Sequence, residues 1–210
     1  AGEPTVIISP FANPKLVKMY CEILSSRGSL NNLRLVAPSY VEGVTNVKES
    51  GSEFLKNALE LASGGVVIIN DFVLPTNHKW AEDVTSYLVQ KHVHAVSPLI
   101  IRQDQSIEDA GLVVNKQEKI RLFEGYPMGV NTYFGDTDWS RNVDEVSGVV
   151  CAVRRDEIKE FLGTCAKNQP IIQTLNNFSR KKGARYNVVL SSSPLEHIRT
   201  GQPVGLSRFM

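Results

Sequence analysis

The chain has 210 residues, of which 42% are hydrophobic and 21% are charged, and its formal net charge is +1. These values are typical of an ordered globular protein and exclude a largely disordered one. The near-zero charge gives no electrostatic reason to expect nucleic acid or a membrane surface as a partner. The length fits one domain, residues 1–210, with a sizeable core.

The three cysteines are widely spaced and form no Cys-x-x-Cys pair, which argues against a disulfide framework or a zinc cluster. They are Cys21, Cys151 and Cys165, and we expect them to be free thiols in a reducing compartment. No apolar run reaches the roughly eighteen residues of a membrane helix. The start of the sequence lacks the basic and apolar segments of a signal peptide. We therefore expect no transmembrane segment.

Predicted strands and helices alternate through the first ninety residues. The strands are 5–8, 33–37 and 66–69, and the helices are 15–26, 50–62 and 78–91. Apolar residues recur every three or four positions in the helices, whereas the strands are short continuous apolar runs. This alternation predicts a largely parallel sheet that is covered by helices on both faces.

The second half of the chain has a more mixed pattern. Strands are predicted over 94–101, 111–114, 143–153 and 186–190, and helices over 156–162 and 170–182. Pro98 predicts an edge or a bend, Ser147-Gly148 predicts an interruption, and a polar tail is expected from Ser191. Residues 116–142 have no clean period, and loops of this length are usually functional or mobile.

The segment from Gly65 to Phe72 carries the main candidate for chemistry. Its apolar run, residues 66–69, suits a strand buried on both faces, and the run breaks into Asn70-Asp71. Ligands of α/β proteins bind beyond the carboxyl ends of the strands, where a carboxylate meets cations or phosphates. Asp is also a common turn residue, so Asp71 has both a ligand and a turn interpretation.

Four motifs occur in the order found in one enzyme family. Val6-Ile-Ile-Ser-Pro-Phe-Ala-Asn13 is similar to its opening strand and turn, and residues 51–64 to its Gly- and Ala-containing helix. Residues 67–75, followed by Trp80, stand where that family has its metal motif, a Pro and a Trp. The longest match combines 123–127, 133–135, 141–143 and 146–155. On these residues the chain resembles family 2 of the GT-A nucleotide-sugar glycosyltransferases, in particular its rhamnosyltransferase-like members.

The resemblance implies an α/β fold of the GT-A (Rossmann-like) type, with a central mixed, mostly parallel sheet flanked by helices on both faces. Residues of about 1–100 would form the nucleotide-binding half and about 101–210 the acceptor half. It also implies a hexosyltransferase that moves a sugar from a UDP-sugar donor to a glycan or glycoprotein acceptor. The length also resembles that of the N-terminal glycosyltransferase domain of a chlorella-virus multidomain protein. We therefore expect part of a longer protein in the cytoplasm, that of the host if the protein is viral.

A sugar-nucleotide donor leaves as a diphosphate, whose developing charge a divalent ion can neutralise. The resemblance implies that Asp71 and His197 bind this metal, although Ile69 occupies the place of a further carboxylate. Because imidazole suits Mn²⁺ better than Mg²⁺, we expect Mn²⁺ rather than Mg²⁺. Without the resemblance, His197 would be interpreted as a surface histidine.

The resemblance also assigns residues to the two substrates. The candidates for the nucleotide are Ser9, Pro10, Phe11, Asn13, Asn57, Asn70, Arg199 and, more weakly, Lys56. Trp139, Ser147 and Gly148 would border the acceptor. Each has a plainer interpretation, since aromatic residues mostly serve burial and single basic residues are mostly solvated.

Two departures from the family concern the acids. Residues 37–39 lack the Asp expected near the base or ribose, and residues 170–174 lack the acidic pair that contains the general base. Three outcomes fit this absence: a retaining mechanism, a base from the loop (Asp136, Asp138, Asp144 or Glu145), or an inactive nucleotide-sugar or glycan binding domain. With Asp71, Asp144 and Glu145 are the candidate catalytic residues. A sugar nucleotidyltransferase would require a Gly-rich, basic loop after the first strand, and residues 9–14 are neither.

Overall fold

The computed structural model describes residues 3–8, 14–26, 34–38, 44–47, 51–116, 118–133, 135–164 and 186–198. Within them the elements follow in the order β1 (Thr5–Ile8), α1 (Pro14–Ser26), β2 (Arg34–Ala37), β3 (Thr45–Asn46), α2 (Gly51–Glu60), β4 (Val66–Ile69), β5 (Val73–Pro75), α3 (Trp80–Ser86), β6 (Val93–Ile101), β7 (Ile107–Asp109), β8 (Leu112–Asn115), β9 (Glu118–Arg121), β10 (Asn131–Thr132), β11 (Gly135–Asp136), β12 (Arg141–Val143), β13 (Val150–Val153), α4 (Arg155–Thr164) and β14 (Tyr186–His197). A 3-10 turn, Tyr87–Val89, extends α3. Cys165 and the predicted helix 170–182 lie outside the described residues.

One mixed sheet runs through the molecule in the order β12-β14-β6-β13-β4-β1-β2-β3. The strands of the first half, β1 to β4, pair in parallel, as their alternation with helices predicted. β13 lies antiparallel between β4 and β6, and β14 pairs in parallel with β6. β5 and β7 add antiparallel partners to β14 and β6. The predicted mixed α/β architecture is confirmed.

The sheet separates two hydrophobic layers, because successive side chains of a strand point to opposite faces. Val67 and Ile69 of β4 pack with α1 and α3, whose largest buried side chains are Tyr20 and Trp80. Ile68 faces the opposite layer, which α2 and α4 cover. Helices therefore lie on both faces, as predicted. Two cysteines, one in each layer, are buried free thiols: Cys21 and Cys151.

Pro98 was predicted to lie near an edge or a bend, and the edge alternative is wrong. β6 is an interior strand between β14 and β13, and all nine of its residues are buried. Pro98 has no N–H to donate to a neighbouring strand. The register of β14 against β6 shifts between Leu190 and Leu195, directly after the pair Leu190 and Pro98. This irregularity lets an interior strand contain a proline.

Two other strand predictions need correction. β14 does not end at Leu190 but continues to His197, so its last residues form no polar tail. The segment predicted as one interrupted strand, residues 143–153, is divided between β12 and β13, which are separated in the sheet by β14 and β6. Both errors concern polar residues. Ser191 to Ser193 lie within β14 but were predicted to follow its end, and Ser147-Gly148 lie between two separate strands but were predicted to interrupt one.

The aperiodic region 116–142 is partly ordered by local strand pairs. β8 pairs with β9, and β10 pairs with β11, both antiparallel and both apart from the main sheet. Thr137, which follows β11, is buried and holds the segment before β10, because its hydroxyl donates to the Pro127 carbonyl at 3.0 Å and accepts from Val130 N at 3.0 Å. None of the described helices is long and apolar enough to cross a bilayer.

Candidate functional site

Asp71 lies just beyond the carboxyl end of β4, at the point the sequence predicted. β4 is buried on both faces between β1 and β13, so the direction in which it delivers Asn70 and Asp71 is fixed. The Asp71 side chain is 51% exposed. Its Oδ1 accepts a hydrogen bond from Phe72 N at 2.8 Å. This local bond lies in the bend that follows β4 and occupies Oδ1, and it leaves Oδ2 directed elsewhere.

His197 contacts that second oxygen. It is the last residue of β14, and its backbone pairs with Val73 of β5, the strand that follows Asp71. His197 Nε2 lies 3.2 Å from Asp71 Oδ2. His197 as a whole residue is 8% exposed, so the predicted surface alternative for His197 does not describe its environment. The turn and ligand interpretations of Asp71 are thus compatible, because a different oxygen serves each.

A second carboxylate completes this group of residues. Glu108 Oε1 lies 2.9 Å from His197 Nδ1, and Glu108 is 5% exposed in β7. Glu108 is not among the site residues that the sequence motifs predicted. Its signal is a pair of adjacent acids, Glu108-Asp109, between apolar Ile107 and Ala110, a pattern that is unusual for a plain polar turn because such acids are rarely buried.

These carboxylates set the protonation of the histidine. The Asp71 carboxylate is the largest cause that raises the pKa of His197 above its ordinary value. Burial opposes the rise, and Glu108 adds to it through its hydrogen bond and its charge. In the absence of another cation, the positively charged form of His197 is therefore stabilised between two acids.

Asn70 connects this group to the predicted acceptor residues. Its Nδ2 donates to the Gly148 carbonyl at 3.1 Å, and its backbone N donates to the Val149 carbonyl at 2.8 Å. Ser147 Oγ in turn accepts from Val149 N at 3.1 Å and lies against the Asp109 carboxylate. The structure thus brings Ser147 and Gly148 to the same sheet edge as Asn70 and Asp71.

Asp109 is a buried carboxylate behind this edge. Burial raises its pKa, against the lowering effect of the hydrogen bond that Gly111 N donates to Oδ1 at 2.7 Å.

Asn70 contributes a different kind of group, since its side-chain oxygen is buried and has no hydrogen-bond partner among the described residues. Such an orphaned acceptor is unusual in a folded protein and indicates a place for a ligand or water.

The remaining predicted residues occupy other surroundings. Asp144 Oδ2 accepts from Val114 N at 2.7 Å, and the buried Glu145 pairs with Lys119 Nζ at 2.8 Å. Trp139 is 61% exposed and packs near Gly135. Asp136 contributes its carbonyl to Arg141. These contacts assign Asp144 and Glu145 to the support of β8 and β9, and they leave Trp139 accessible.

Three further predicted residues lie on or near these elements. Asn57 is partly buried in α2, and Lys56 of the same helix pairs with Glu53 at 2.9 Å. Asp138 is exposed next to Trp139. The predicted nucleotide-binding residues Ser9, Pro10, Phe11, Asn13 and Arg199 lie outside the described residues.

The site has part of the ligand set that a divalent cation requires. Within the described ranges, no group of three His, Cys, Asp or Glu side chains has the arrangement of a metal site. Two ligands at about 2.1 Å and right angles are about 3 Å apart in octahedral coordination. The 3.2 Å between His197 Nε2 and Asp71 Oδ2 fits such a pair. Mg²⁺-type sites commonly use one or two carboxylates with substrate phosphates and water as the other ligands.

Comparison with known proteins supports the GT-A type of fold that the sequence motifs predicted. The chain resembles the mannosyltransferase PcManGT from Pyrobaculum calidifontis, solved in complex with GDP-Man and Mn²⁺, with a TM-score of 0.56 and 12% identity over 98% of this chain and 59% of that one. It is 27% identical over 113 residues to the O-antigen biosynthesis protein RfbC of Myxococcus xanthus, which covers 50% of this chain and 8% of RfbC. No protein-family model matches the chain.

These likenesses define the class of fold as GT-A-like, the fold of nucleotide-sugar glycosyltransferases, as the motifs predicted. The chain spans about three fifths of the mannosyltransferase, and its match covers less than a tenth of RfbC. The comparisons do not support an origin in a chlorella virus, the viral source that the chain length suggested.

Proposed function

We propose that this chain is a metal-dependent glycosyltransferase domain that transfers a sugar from a nucleotide-sugar donor to a carbohydrate or glycoprotein acceptor. The observation that carries the proposal is the convergence of Asp71 and His197 at the carboxyl edge of a GT-A-like sheet. The donor would bind to the half of the chain before about residue 100, and the acceptor to the half after it. His197, from the second half, joins the two.

The residues at the edge suit a nucleotide diphosphate with its cation. Asp71 and His197 would hold Mn²⁺, or Mg²⁺, with one oxygen and one nitrogen. When bound, the ion supplies Lewis-acid stabilisation of the leaving diphosphate. Asn70 offers a buried amide oxygen to a sugar hydroxyl or a water molecule. Ser147 and Gly148 would border the acceptor, because Asn70 holds their loop at this edge.

We expect a UDP-sugar as the donor, from the resemblance of the motifs to family 2. The mannosyltransferase PcManGT was solved with GDP-Man and Mn²⁺, so GDP is the principal competitor. A location in the cytoplasm and a place within a longer polypeptide remain predictions. The acceptor's chemistry depends on residues that include the exposed Trp139, a side chain suited to stacking on a sugar ring.

A thermal-shift panel tests the donor and the metal together. The chain would be heated with UDP, GDP or CMP, each with and without Mn²⁺. A nucleotide at 100 times its dissociation constant stabilises the folded protein by about 2.7 kcal/mol. For a chain of this size, that corresponds to a rise in Tm of roughly 5 to 10 °C. We expect this rise only with Mn²⁺ and a diphosphate, and most strongly with UDP.

Two results would separate the alternatives. The absence of metal-dependent stabilisation by any nucleotide would overturn the proposal. Stabilisation without measurable hydrolysis or transfer of the matching nucleotide sugar would instead indicate a nucleotide-sugar binding domain. The second outcome has a specific basis, since Ile69 stands where the family has a further carboxylate and the described residues contain no complete metal site.

A further inference from the structure

We propose that Glu108 is a positioning residue, which accepts the hydrogen bond of His197 Nδ1 so that Nε2 can give its lone pair to a cation that Asp71 also binds, the proton that Nε2 shares with Asp71 in the metal-free protein being released. This inference rests on the proposed function, because it concerns how one of the proposed ligands is prepared. It adds a residue that the sequence motifs did not identify. The geometry involves three strands: β14 carries His197, β7 carries Glu108, and Asp71 follows β4.

The contact between Glu108 and His197 determines which nitrogen carries a proton. Glu108 Oε1 lies 2.9 Å from Nδ1, and an ionised carboxylate can only accept hydrogen bonds. Nδ1 must therefore be the donor. In the neutral imidazole only one nitrogen carries hydrogen, so Nε2 is then the atom with a free lone pair. That is the nitrogen that lies 3.2 Å from Asp71 Oδ2.

The surroundings make Glu108 a rigid partner. Its side chain is 7% exposed and that of His197 is 9% exposed, whereas the Asp71 side chain is 51% exposed. β7 pairs with β6, and β6 pairs with β14, so both residues belong to one continuous sheet. Metal-binding histidines in proteins usually donate their second N–H to such a carboxylate or to a carbonyl, and this outer partner fixes the ring orientation. The open side of the group lies at Asp71, where a cation would enter.

Glu108→Ala and Glu108→Gln test the role separately from the fold. Alanine removes the acceptor, whereas the glutamine amide oxygen can still accept from Nδ1–H. Loss of an outer partner typically lowers metal affinity about 10- to 100-fold. We expect a loss of that size in Mn²⁺ affinity for Glu108→Ala, measured by the EPR signal of free Mn²⁺, and a loss of less than about tenfold for Glu108→Gln. Glu118→Ala, at an exposed position of β9, is the matched control.

A second readout reports on the ring itself. The chain has four histidines, so the ¹⁵N ring signals of the Zn²⁺-loaded protein can be assigned by comparison with His197→Asn. We expect a protonated Nδ1 and a metal-bound Nε2 in the wild type. In Glu108→Ala we expect signals averaged between tautomers, or binding through Nδ1. A merely structural role for Glu108 would leave the tautomer unchanged.

The outcomes distinguish this inference from the proposed function. If the wild type binds neither Mn²⁺ nor Zn²⁺ at His197, the metal-dependent function and the inference both fail. If the wild type binds metal and a folded Glu108→Ala binds it equally well with the same tautomer, the inference alone fails. If Glu108→Ala does not fold, Glu108→Gln alone decides. Because its amide oxygen can still accept from Nδ1–H, a tenfold or greater loss of Mn²⁺ affinity together with a mixed tautomer in this variant would overturn the inference.

Discussion

Asp71 and His197, which belong to opposite halves of the chain, lie 3.2 Å apart because β5 turns back from Asp71 to pair with the end of β14. The pairing places Val73 opposite His197, and Ile198 N donates to the Phe72 carbonyl at 2.8 Å. The same short turn thus delivers the carboxylate and anchors the strand that carries the imidazole. This arrangement makes the two side chains one unit, and it predicts that they act together.

Asp71→Asn should remove metal-dependent nucleotide binding while leaving the fold intact. The side chain is half exposed, and the amide oxygen of Asn can still accept from Phe72 N. Because loss of an outer partner already lowers metal affinity about 10- to 100-fold, loss of a ligand should lower it at least about 100-fold. The Mn²⁺-dependent rise in Tm with a nucleotide diphosphate should disappear, and sugar-nucleotide hydrolysis should fall in proportion.

Asp156→Asn is the control for that variant. Asp156 is exposed in the first turn of α4 and lines the same cleft as Gly65, which lies at the opposite end of β4 from Asp71. It should retain wild-type metal response. An Asp71→Asn protein that keeps the Mn²⁺-dependent shift would show that the cation, if it binds, uses other residues.

The elements that position Asp71 could be predicted from the sequence. Val66–Ile69 contains only β-branched apolar residues, and such a run packs well in a strand that is buried on both faces. The flanking helices have clear apolar periodicity, which depends only on neighbouring residues. The position of a carboxylate beyond this strand follows from these local patterns together with the general rule for α/β sheets.

Glu108 and the far end of β14 could not be predicted in this way. Ser191 to Ser193 are polar and resemble a tail, yet they continue β14 because its partners come from distant parts of the chain, β5 and β6. Glu108 is buried beside His197, a residue 89 positions later in the chain. Both features depend on long-range pairing, for which a single sequence contains no periodic signal.

Gly111→Ala should destabilise the corner between β7 and β8. Gly111 has a φ of +87°, and an added Cβ would meet Val143 at 2.5 Å and Val189 at 2.9 Å. The left-handed backbone costs about 1–2 kcal/mol for alanine, and overpacking typically adds about 1–3 kcal/mol. Urea unfolding of Gly111→Ala should therefore show a free energy of unfolding about 2–5 kcal/mol lower than that of the wild type.

Gly129→Ala separates these two contributions. Gly129 also has a positive φ, +72°, but an added Cβ would meet nothing within 4 Å. The free energy of unfolding of Gly129→Ala should therefore fall only by the backbone contribution, about 1–2 kcal/mol. Equal losses for the two variants would contradict the packing of Gly111 against β12 and β14.

The stability of the chain should fall with acid because of Glu157. Burial acts to raise the pKa of Glu157, but the close contacts with His94 and Arg154 together outweigh it, and the pKa lies below its ordinary value. His94 Nδ1 lies 2.5 Å from Glu157 Oε2, and Arg154 Nη1 lies 2.8 Å from Oε1. A depressed carboxyl pKa contributes stability above the unfolded value of about 4.3 and loses it as the pH falls through the folded value.

Glu157→Gln isolates this contribution. Removing one partner of a buried pair typically costs about 3–5 kcal/mol, so urea unfolding at pH 7 should show a loss near the lower end of that range. The difference from the wild type should shrink as the pH falls below the ordinary carboxyl pKa. Glu160→Gln, at an exposed position of the same helix, should change little. A difference that stays constant down to pH 3 would contradict the assignment.

Asp144 and Glu145 allow the mechanism to be tested by stability and turnover together. Glu145 is buried against Lys119, so Glu145→Gln should lower the free energy of unfolding by about 1–3 kcal/mol. Asp144 is exposed, and Asn can still accept from Val114 N, so Asp144→Asn should stay within about 1 kcal/mol. Because both carboxylates already make contacts within the fold, we expect the folded variants to keep most of their sugar-nucleotide hydrolysis.

We expect the reaction to proceed with retention, because a retaining reaction requires no base at these positions. The released sugar should then have the anomeric configuration of the donor. Proton NMR recorded before mutarotation reads this configuration directly. Inversion in the wild type, combined with loss of turnover in a stably folded Asp144→Asn or Glu145→Gln, would instead identify the loop acid as the general base. Inversion with turnover intact in both variants would place the base elsewhere, because an inverting transfer still needs a group to accept the proton of the attacking hydroxyl.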